Sequence, residues 1–353
     1  MSKRRLPIGI QTFREVREEN CYYVDKTAYI RRLLDEGKHY FLSRPRRFGK
    51  SLFLDTLKEL FEGNEPLFAG LAIHDQWDWS VRHPVLRLSF GSGHFTAPEG
   101  LHKEVMAQLD AIAEAGGVES PYDTASARFR HVIQKLHSRA GQPVAVLIDE
   151  YDKPILDALE VPEVARANRD FLRGLYAVVK DCDAHIRFTF ITGVSKFSKV
   201  SLFSGLNNLK DITLDARYSA LCGYTEADLD AVFAPELPDL DREQIRDWYN
   251  GYSWRGDEKV YNPFDILLLF DSGEFKAHWF ETGTPTFLVE TLFERRVSSL
   301  ALENLMGSDE LLSKFDVGDI ATEALLFQTG YLTIVEERNL GGEPLYRLGY
   351  PNR

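Results

Sequence analysis

The sequence predicts an α/β protein, with a parallel sheet flanked by helices over residues 1–222 and a mostly helical second domain over 223–353. Three observations predict it. Short apolar runs alternate with amphipathic helical runs up to about residue 222, which is the pattern of strand–helix–strand units. One run, Pro143-Val144-Ala145-Val146-Leu147-Ile148, is apolar without interruption, as a strand buried on both faces must be. Beyond 222 the alternation ends and helical periodicity with capping signals takes over. A chain of 353 residues is also long enough to divide its apolar residues between two cores.

In chain order, Tyr22-Tyr23-Val24-Asp25-Lys26-Thr27 leads into a helix marked by Tyr29, Ile30, Leu33 and Leu34, with Asp25 or Thr27 as its cap. His39-Tyr40-Phe41-Leu42 reads as a short buried strand. After Ser43-Arg44-Pro45-Arg46-Arg47-Phe48-Gly49-Lys50-Ser51, a helix runs from Leu52 to Glu62. Phe53, Leu57, Leu60 and Phe61 share one face of it, and Gly63 stops it. Residues 84–90 make a second strand. Helices follow on Leu101, Val105, Leu109 and Ile112, and on Phe129, Val132, Ile133 and Leu136. The apolar run at 143–148 ends in Asp149-Glu150. Phe171, Leu172, Leu175, Tyr176 and Val179 line a further helix, 186–193 a further strand, and 211–214 a last short one.

In the second domain, Thr225-Glu226-Ala227-Asp228 is a capping box. Asp241 to Tyr249 reads as a helix. Asn262-Pro263 and Thr284-Pro285 each read as a cap followed by proline at the first helical position. Ile266, Leu269 and Phe270 form one apolar face, and Phe287, Leu288, Thr291 and Leu292 another. A hairpin closes the chain: 331–335, a turn near Gly341-Gly342, then 345–348.

The chemistry sits in two of these stretches. Gly49-Lys50-Ser51 ends a strand–loop–helix unit. A glycine lets the backbone approach phosphate oxygens, and helix N-terminal amides point at them. A lysine at this place reaches the β and γ phosphates, and the serine hydroxyl ligates Mg²⁺. The usual pattern has another glycine five residues before Gly49, where this chain has Arg44; the competing reading is a basic surface turn. The strand ending in Asp149-Glu150 supplies the second half of a nucleotide site. Asp149 would hold Mg²⁺ opposite Ser51, and Glu150 would orient or deprotonate the attacking water. Arg46 and Arg47 are candidates for stabilising transition-state charge. Tyr23 and Val24 are candidates for the base site, with ordinary core packing as the alternative. Thr192, Ser195 and Lys196, at the end of the 186–193 strand, are candidates for sensing the γ phosphate. A strand at 84–90 falls between the two motif strands in sequence. That order suggests the hydrolase branch, with an added central strand and a catalytic glutamate.

Composition bounds the partners. The net charge of −12 counts against general nucleic-acid binding, although Arg44, Arg46, Arg47 and Lys50 cluster within seven residues. Cys21, Cys182 and Cys222 are odd in number and far apart. They suggest a reducing, cytoplasmic setting rather than a disulfide framework or zinc cluster. No run is long enough to span a bilayer. His74, His83 and His94 lack metal-ligand spacing. Pro238-Asp239 with Asp257-Glu258-Lys259 spells the acid–acid–lysine pattern of a metal-dependent nuclease. The predicted helix at 241–249 separates the two parts, whereas that chemistry needs the acids on neighbouring strands.

The chain resembles the bacterial AAA-ATPase-like proteins, P-loop ATPases near the archaeal and signal-transducing switch ATPases. The residues carrying the resemblance are 23–27, the arginine-bearing loop 41–51, Ile148-Asp149-Glu150-Tyr151-Asp152 and 191–196, extended by 248–252, 261–264 and 328–332. It implies a P-loop NTPase core with a helical or winged-helix-like lid, and ATP with Mg²⁺ as ligands. The nucleotide-binding set it implies is Tyr23, Arg44, Phe48, Gly49, Lys50, Ser51, Leu52, Asp149 and Thr192. Lys50, Glu150, Arg46 and Arg47 carry catalysis, and Ser51 and Asp149 hold the metal. Many members continue into a nuclease domain, and this chain ends at Tyr350-Pro351-Asn352-Arg353, about where one is expected to begin. Expected partners are the nucleotide and either another protein or a second copy of the chain. Three functions fit: an ATPase, a nucleotide-dependent switch with little turnover serving defence or mobile elements, or the ATPase module of a nucleic-acid-processing protein.

Overall fold

Each apolar run in the first 222 residues becomes a strand of one sheet in the computed structural model. The structure describes residues 3–196, 202–203, 205–255, 258–278, 305–312, 315–316, 319–341 and 343–352. The strands are β1 (His39–Ser43), β2 (Val85–Ser89), β3 (Val144–Asp149), β4 (Ile186–Gly193) and β5 (Lys210–Asp211). Their order is β2-β3-β4-β1-β5, with every pairing parallel. Every residue of β3 is buried, so both faces of the sheet are covered there.

A strand does lie between the two motif strands, β1 and β3. It is β4, however, and the 84–90 stretch lies at the sheet edge as β2. The chain returns from β3 through a long helix and inserts β4 into the gap. Crossover geometry decides that placement, and sequence order alone does not report it.

The helices of this part are α1 (Phe13–Glu18), α2 (Thr27–Glu36), α3 (Lys50–Phe61), α4 (Pro98–Ala115), α5 (Ala125–Ala140), α6 (Lys153–Leu156) and α7 (Pro162–Asp181). α3 packs across β2, β3 and β4, whereas α4, α5 and α7 pack on one another. Gly63, just past α3, takes φ +75°, the left-handed conformation that ends a helix.

Three helices follow: α8 (Glu226–Val232), α9 (Arg242–Tyr249) and α10 (Pro263–Ser272). Each begins as its capping residues dictate. Thr225 and Asp228 form the capping box, Asp241 accepts from the amides of Glu243 and Gln244, and Asn262 accepts from that of Phe264. Leu229, Ile245, Tyr249, Tyr261, Ile266 and Leu269 form a core of their own. The expected helix opening at Thr284-Pro285, with Phe287, Leu288, Thr291 and Leu292, lies outside the described residues.

The chain ends with β6 (Met306–Ser308), α11 (Asp309–Leu312), the short pair β7 (Phe315–Asp316) and β8 (Asp319–Ile320), α12 (Thr322–Thr329), and the hairpin β9 (Thr333–Leu340) and β10 (Glu343–Gly349). β6, β10 and β9 make a three-stranded antiparallel sheet. Leu325, Leu326, Phe327, Tyr346 and Leu348 join the same apolar core as the five-stranded sheet. Beyond β10, the Pro351 carbonyl lies against Gly251, where a Cβ would come within 1.1 Å of its oxygen. Among the described residues, no helix is long and apolar enough to cross a membrane.

One buried charge stands out in α10. Asp265 is 1% exposed, and neither carboxylate oxygen has a hydrogen-bond partner among the described residues. Burial pushes its carboxyl up to about 8. The folded chain therefore holds a proton that the unfolded chain releases near its ordinary value of about 4. This contribution to stability is fully present below about pH 4 and is lost as pH rises toward about 8. Asp265→Asn should remove that loss. The stability gap between variant and wild type, read from thermal unfolding, is expected to widen with pH across the window. Parallel pH profiles would show the carboxylate ionised in the fold.

Candidate functional site

The loop between β1 and α3 is shaped by what its lysine needs. Lys50 is 7% exposed, and a buried ammonium must be hydrogen-bonded. Its Nζ donates to the carbonyls of Arg44 (2.9 Å) and Pro45 (2.8 Å), so the loop curls around the amine. Gly49, at φ +87°, makes the turn into α3 that only glycine adopts without strain. Burial pushes the Lys50 ammonium down, and Asp149 opposes that shift.

The loop forms one wall of a cavity of about 390 Å³. Its polar lining includes Arg46, Arg47, Gly49, Lys50, Ser51, Glu150 and Lys153, and Leu52, at the start of α3, also lines it. Its apolar lining includes Pro7, Ile10, Tyr23, Val24 and, from α10, Pro263, Phe264 and Leu267. Tyr23 meets the Phe13 ring edge-on at 5.2 Å, so it both packs in the core and faces the cavity.

Glu150 follows β3 in the left-handed region at φ +52°, a strained conformation for a side chain of this kind. Burial raises its carboxyl above the ordinary range, the neighbouring Asp149 adds to that, and Lys50 and Arg46 oppose it. Gly91, just past β2, leaves room for this carboxylate; a Cβ there would lie 3.4 Å from Oε2. Asp149 ends β3 and is 3% exposed. Its Oδ1 has no hydrogen-bond partner among the described residues.

The Arg44 guanidinium turns back beneath the loop, 1% exposed, while Phe48, also 1% exposed, is among the residues that line the cavity. The Phe48 ring meets Tyr252 and Trp254 edge-on at 4.8 and 5.1 Å. Both hold the loop against the second half of the chain, because an apolar ring and a long buried side chain find their packing there. Arg47, at φ +67°, lays its guanidinium 4.7 Å from the centre of the Phe264 ring. Arg46 is exposed at the cavity mouth.

The end of β4 is held by Asp152. This carboxylate, 1% exposed, accepts from the Ser195 amide (2.6 Å), the Ser195 hydroxyl (2.5 Å) and the Val194 amide (3.1 Å). Gly193 is required beside it, since a Cβ would fall 2.3 Å from Asp152 Oδ1. Ser195 is thus committed to Asp152, and Lys196 pairs with Asp211 at 2.6 Å. Thr192 is fully buried at the strand end, its hydroxyl unpartnered among the described residues.

Sequence reasoning missed Arg87 in β2. It donates to Asp55 of α3 at 2.6 Å, and its Nη2 lies 4.0 Å from Asp149. An arginine in an otherwise apolar strand was the available signal. His83, by contrast, is a buried histidine bonded to the Pro143 carbonyl at 2.8 Å. The nuclease-like pattern is not assembled. Asp239 precedes α9, Glu258 and Lys259 lie beside the isolated bridge of Tyr252 and Val260, and Asp257 lies outside the described residues.

Asp152→Ala would leave the Ser195 and Val194 amides buried without acceptors. We expect it to lower unfolding stability by about 2–4 kcal/mol. The denaturant midpoint checks this, and an unchanged midpoint would show that water replaces the carboxylate.

Comparison with known proteins bears on this arrangement. The chain is 62% identical over all 353 residues to a protein of Azotobacter chroococcum mcd 1 described as "uncharacterized protein in vnfD 5'region", and it spans 68% of that relative. A family described as "Predicted AAA-ATPase" matches residues 7–203, a stretch that contains the curled lysine loop, the acid-tipped β3 and the intervening β4. On that match the chain belongs to the predicted AAA-ATPase family.

Proposed function

We propose that this protein binds ATP and hydrolyses it to ADP and phosphate with Mg²⁺. The observation that carries this is that Lys50, Ser51 and Glu150 line one cavity together with the apolar side chains of Tyr23, Val24, Phe264 and Leu267. Lys50 gives an ammonium for the β and γ phosphates, together with the amides at the start of α3. The apolar lining, Tyr23, Val24, Phe264 and Leu267, suits the flat face of a base.

The metal's donor set fits. The Ser51 hydroxyl and the Asp149 carboxylate are hard oxygen donors, and the buried Asp149 Oδ1 lacks a hydrogen-bond partner among the described residues. Mg²⁺ held there would supply neutralising charge for the phosphate oxygens. Glu150 orients the attacking water and accepts its proton, a task favoured by a carboxyl raised above the ordinary range. Arg46, exposed at the mouth, is placed to meet transition-state charge. Arg47 reaches the same space from its perch on Phe264.

We place the division of the chain at residue 222, with a lid in the following part. Support comes from the separate core of α8, α9 and α10 and from α10's share of the cavity wall. A switch with little turnover is the second reading. It is favoured by contacts between the two parts, among them Arg47 over Phe264 and the Lys26–Asp228 ion pair at 2.7 Å. A cytoplasmic setting agrees with three free, buried cysteines.

The test is phosphate release with Mg-ATP. Glu150→Gln should lower kcat by about 100-fold or more while ATP still binds. Lys50→Ala should weaken ATP binding itself. Equal rates for wild type and Glu150→Gln would remove Glu150 from the mechanism, and tight binding without turnover in wild type would favour the switch.

A further inference from the structure

Arg44 stands where the usual phosphate loop has its first glycine, and its surroundings are built for a cation. Nη1 donates to the carbonyls of Ser43 and Thr213, both at 2.8 Å, and Nη2 to that of Tyr218 at 3.3 Å. The Trp254 ring covers its face at 4.3 Å. Among the described residues, no carboxylate lies within ion-pair distance of it. The charge is therefore met mainly by dipoles and an aromatic face; Asp211, which pairs with Lys196, opposes the effect of burial from beyond ion-pair distance, and Nε is buried without a hydrogen-bond partner among the described residues. The main-chain carbonyl of Arg44 accepts from Lys50 Nζ at 2.9 Å, which ties residue 44 to the lysine of the loop.

We infer that Arg44 is a positioning residue that strengthens polyphosphate binding from behind the loop, through its buried charge and its stack on Trp254, without touching the ligand. The inference rests on the ATP reading of the cavity. The physical reason is screening. A charge in water is damped within a few ångströms, whereas a charge enclosed by protein acts through a medium of lower dielectric constant. Its field at the cavity adds to that of Lys50, and the gain grows with the number of phosphate charges. Burial lowers the pKa of the Arg44 guanidinium only to about 10, so it keeps its proton near neutral pH. Trp254 has a second task in this arrangement, because the same ring packs on Phe48 at the other end of the loop. Stack and ring contact together fix the loop's height against the second half of the chain.

The test is the ratio of AMP to ATP dissociation constants, measured by titration with Mg²⁺ present. Loss of loop shape would also fall mainly on ATP, whose β and γ phosphates the loop holds, so the charge-keeping Arg44→Lys is the control that separates charge from shape. Arg44→Gln, which removes the charge and keeps one amide donor, is expected to lower the ratio about tenfold, with most of the loss in ATP. Arg44→Lys should hold the ratio near the wild-type value even if both affinities fall, since it keeps the charge and loses the fork. An unchanged ratio in Arg44→Gln, or an equal fall in Arg44→Lys, overturns the inference. If Arg44→Gln does not fold, Trp254→Leu decides. It admits water to the guanidinium face and should lower the ratio in the same direction, and an unchanged ratio there overturns the inference. Wild type that takes up neither nucleotide refutes the ATP reading itself, which the Arg44 variants do not address.

Discussion

A lysine ammonium shut away from water has to be solvated by something, and in this protein the loop that carries it does the solvating. The two carbonyls that receive Lys50 belong to Arg44 and Pro45, six and five residues earlier. That requirement closes the loop into a ring. The glycine at 49 then has to turn left-handed, α3 begins at a set height, and its first amides face the cavity. Once α3 is placed, its apolar face packs across β2, β3 and β4, and the acids at the end of β3 arrive next to the loop. The site is thus a consequence of desolvating one amine within a parallel sheet.

The same logic runs through the other buried charges, with different solutions. Asp152 is satisfied by amides and a hydroxyl from the end of β4, so it fixes the distance between two strand ends. Asp55 is shared between the Phe13 amide and the Arg87 guanidinium, tying α1, α3 and β2 together. Asp149 has one oxygen without a hydrogen-bond partner among the described residues, as a carboxylate kept for a ligand must have. Asp265 shows that an incomplete set is not by itself a mark of chemistry, since both its oxygens are unpartnered among the described residues far from the loop in sequence. Glu150 is set apart in another way, by a left-handed backbone that is strained for its residue type.

Much of this was legible in the residues. Gly-Lys-Ser after a short strand, and an apolar run ending in two acids, name both halves of a phosphate site because each needs a fixed local geometry. The capping box at Thr225 and the cap-and-proline pair Asn262-Pro263 placed α8 and α10 for the same reason. Strand order was not legible. β4 takes the central position through a crossover, and no local feature of 186–193 announces it. Side-chain direction was not legible either. The loop position of Arg44 suggests phosphate contact, but its long side chain finds carbonyls and Trp254 on the far side. Pairings such as Arg87 with Asp55 depend on two elements meeting, and residues 32 apart carry no mutual signal in sequence.

The packing of Pro351 against Gly251 has a practical corollary. Gly251 adjoins Tyr252, whose ring supports Phe48 in the loop. Residue 351 is thus linked to the loop through two packing contacts, Pro351 on Gly251 and Tyr252 on Phe48. A fluorophore or fusion partner attached there without a spacer would press on that relay. The same attachment point, given a short flexible tether, would report on the loop from outside the cavity.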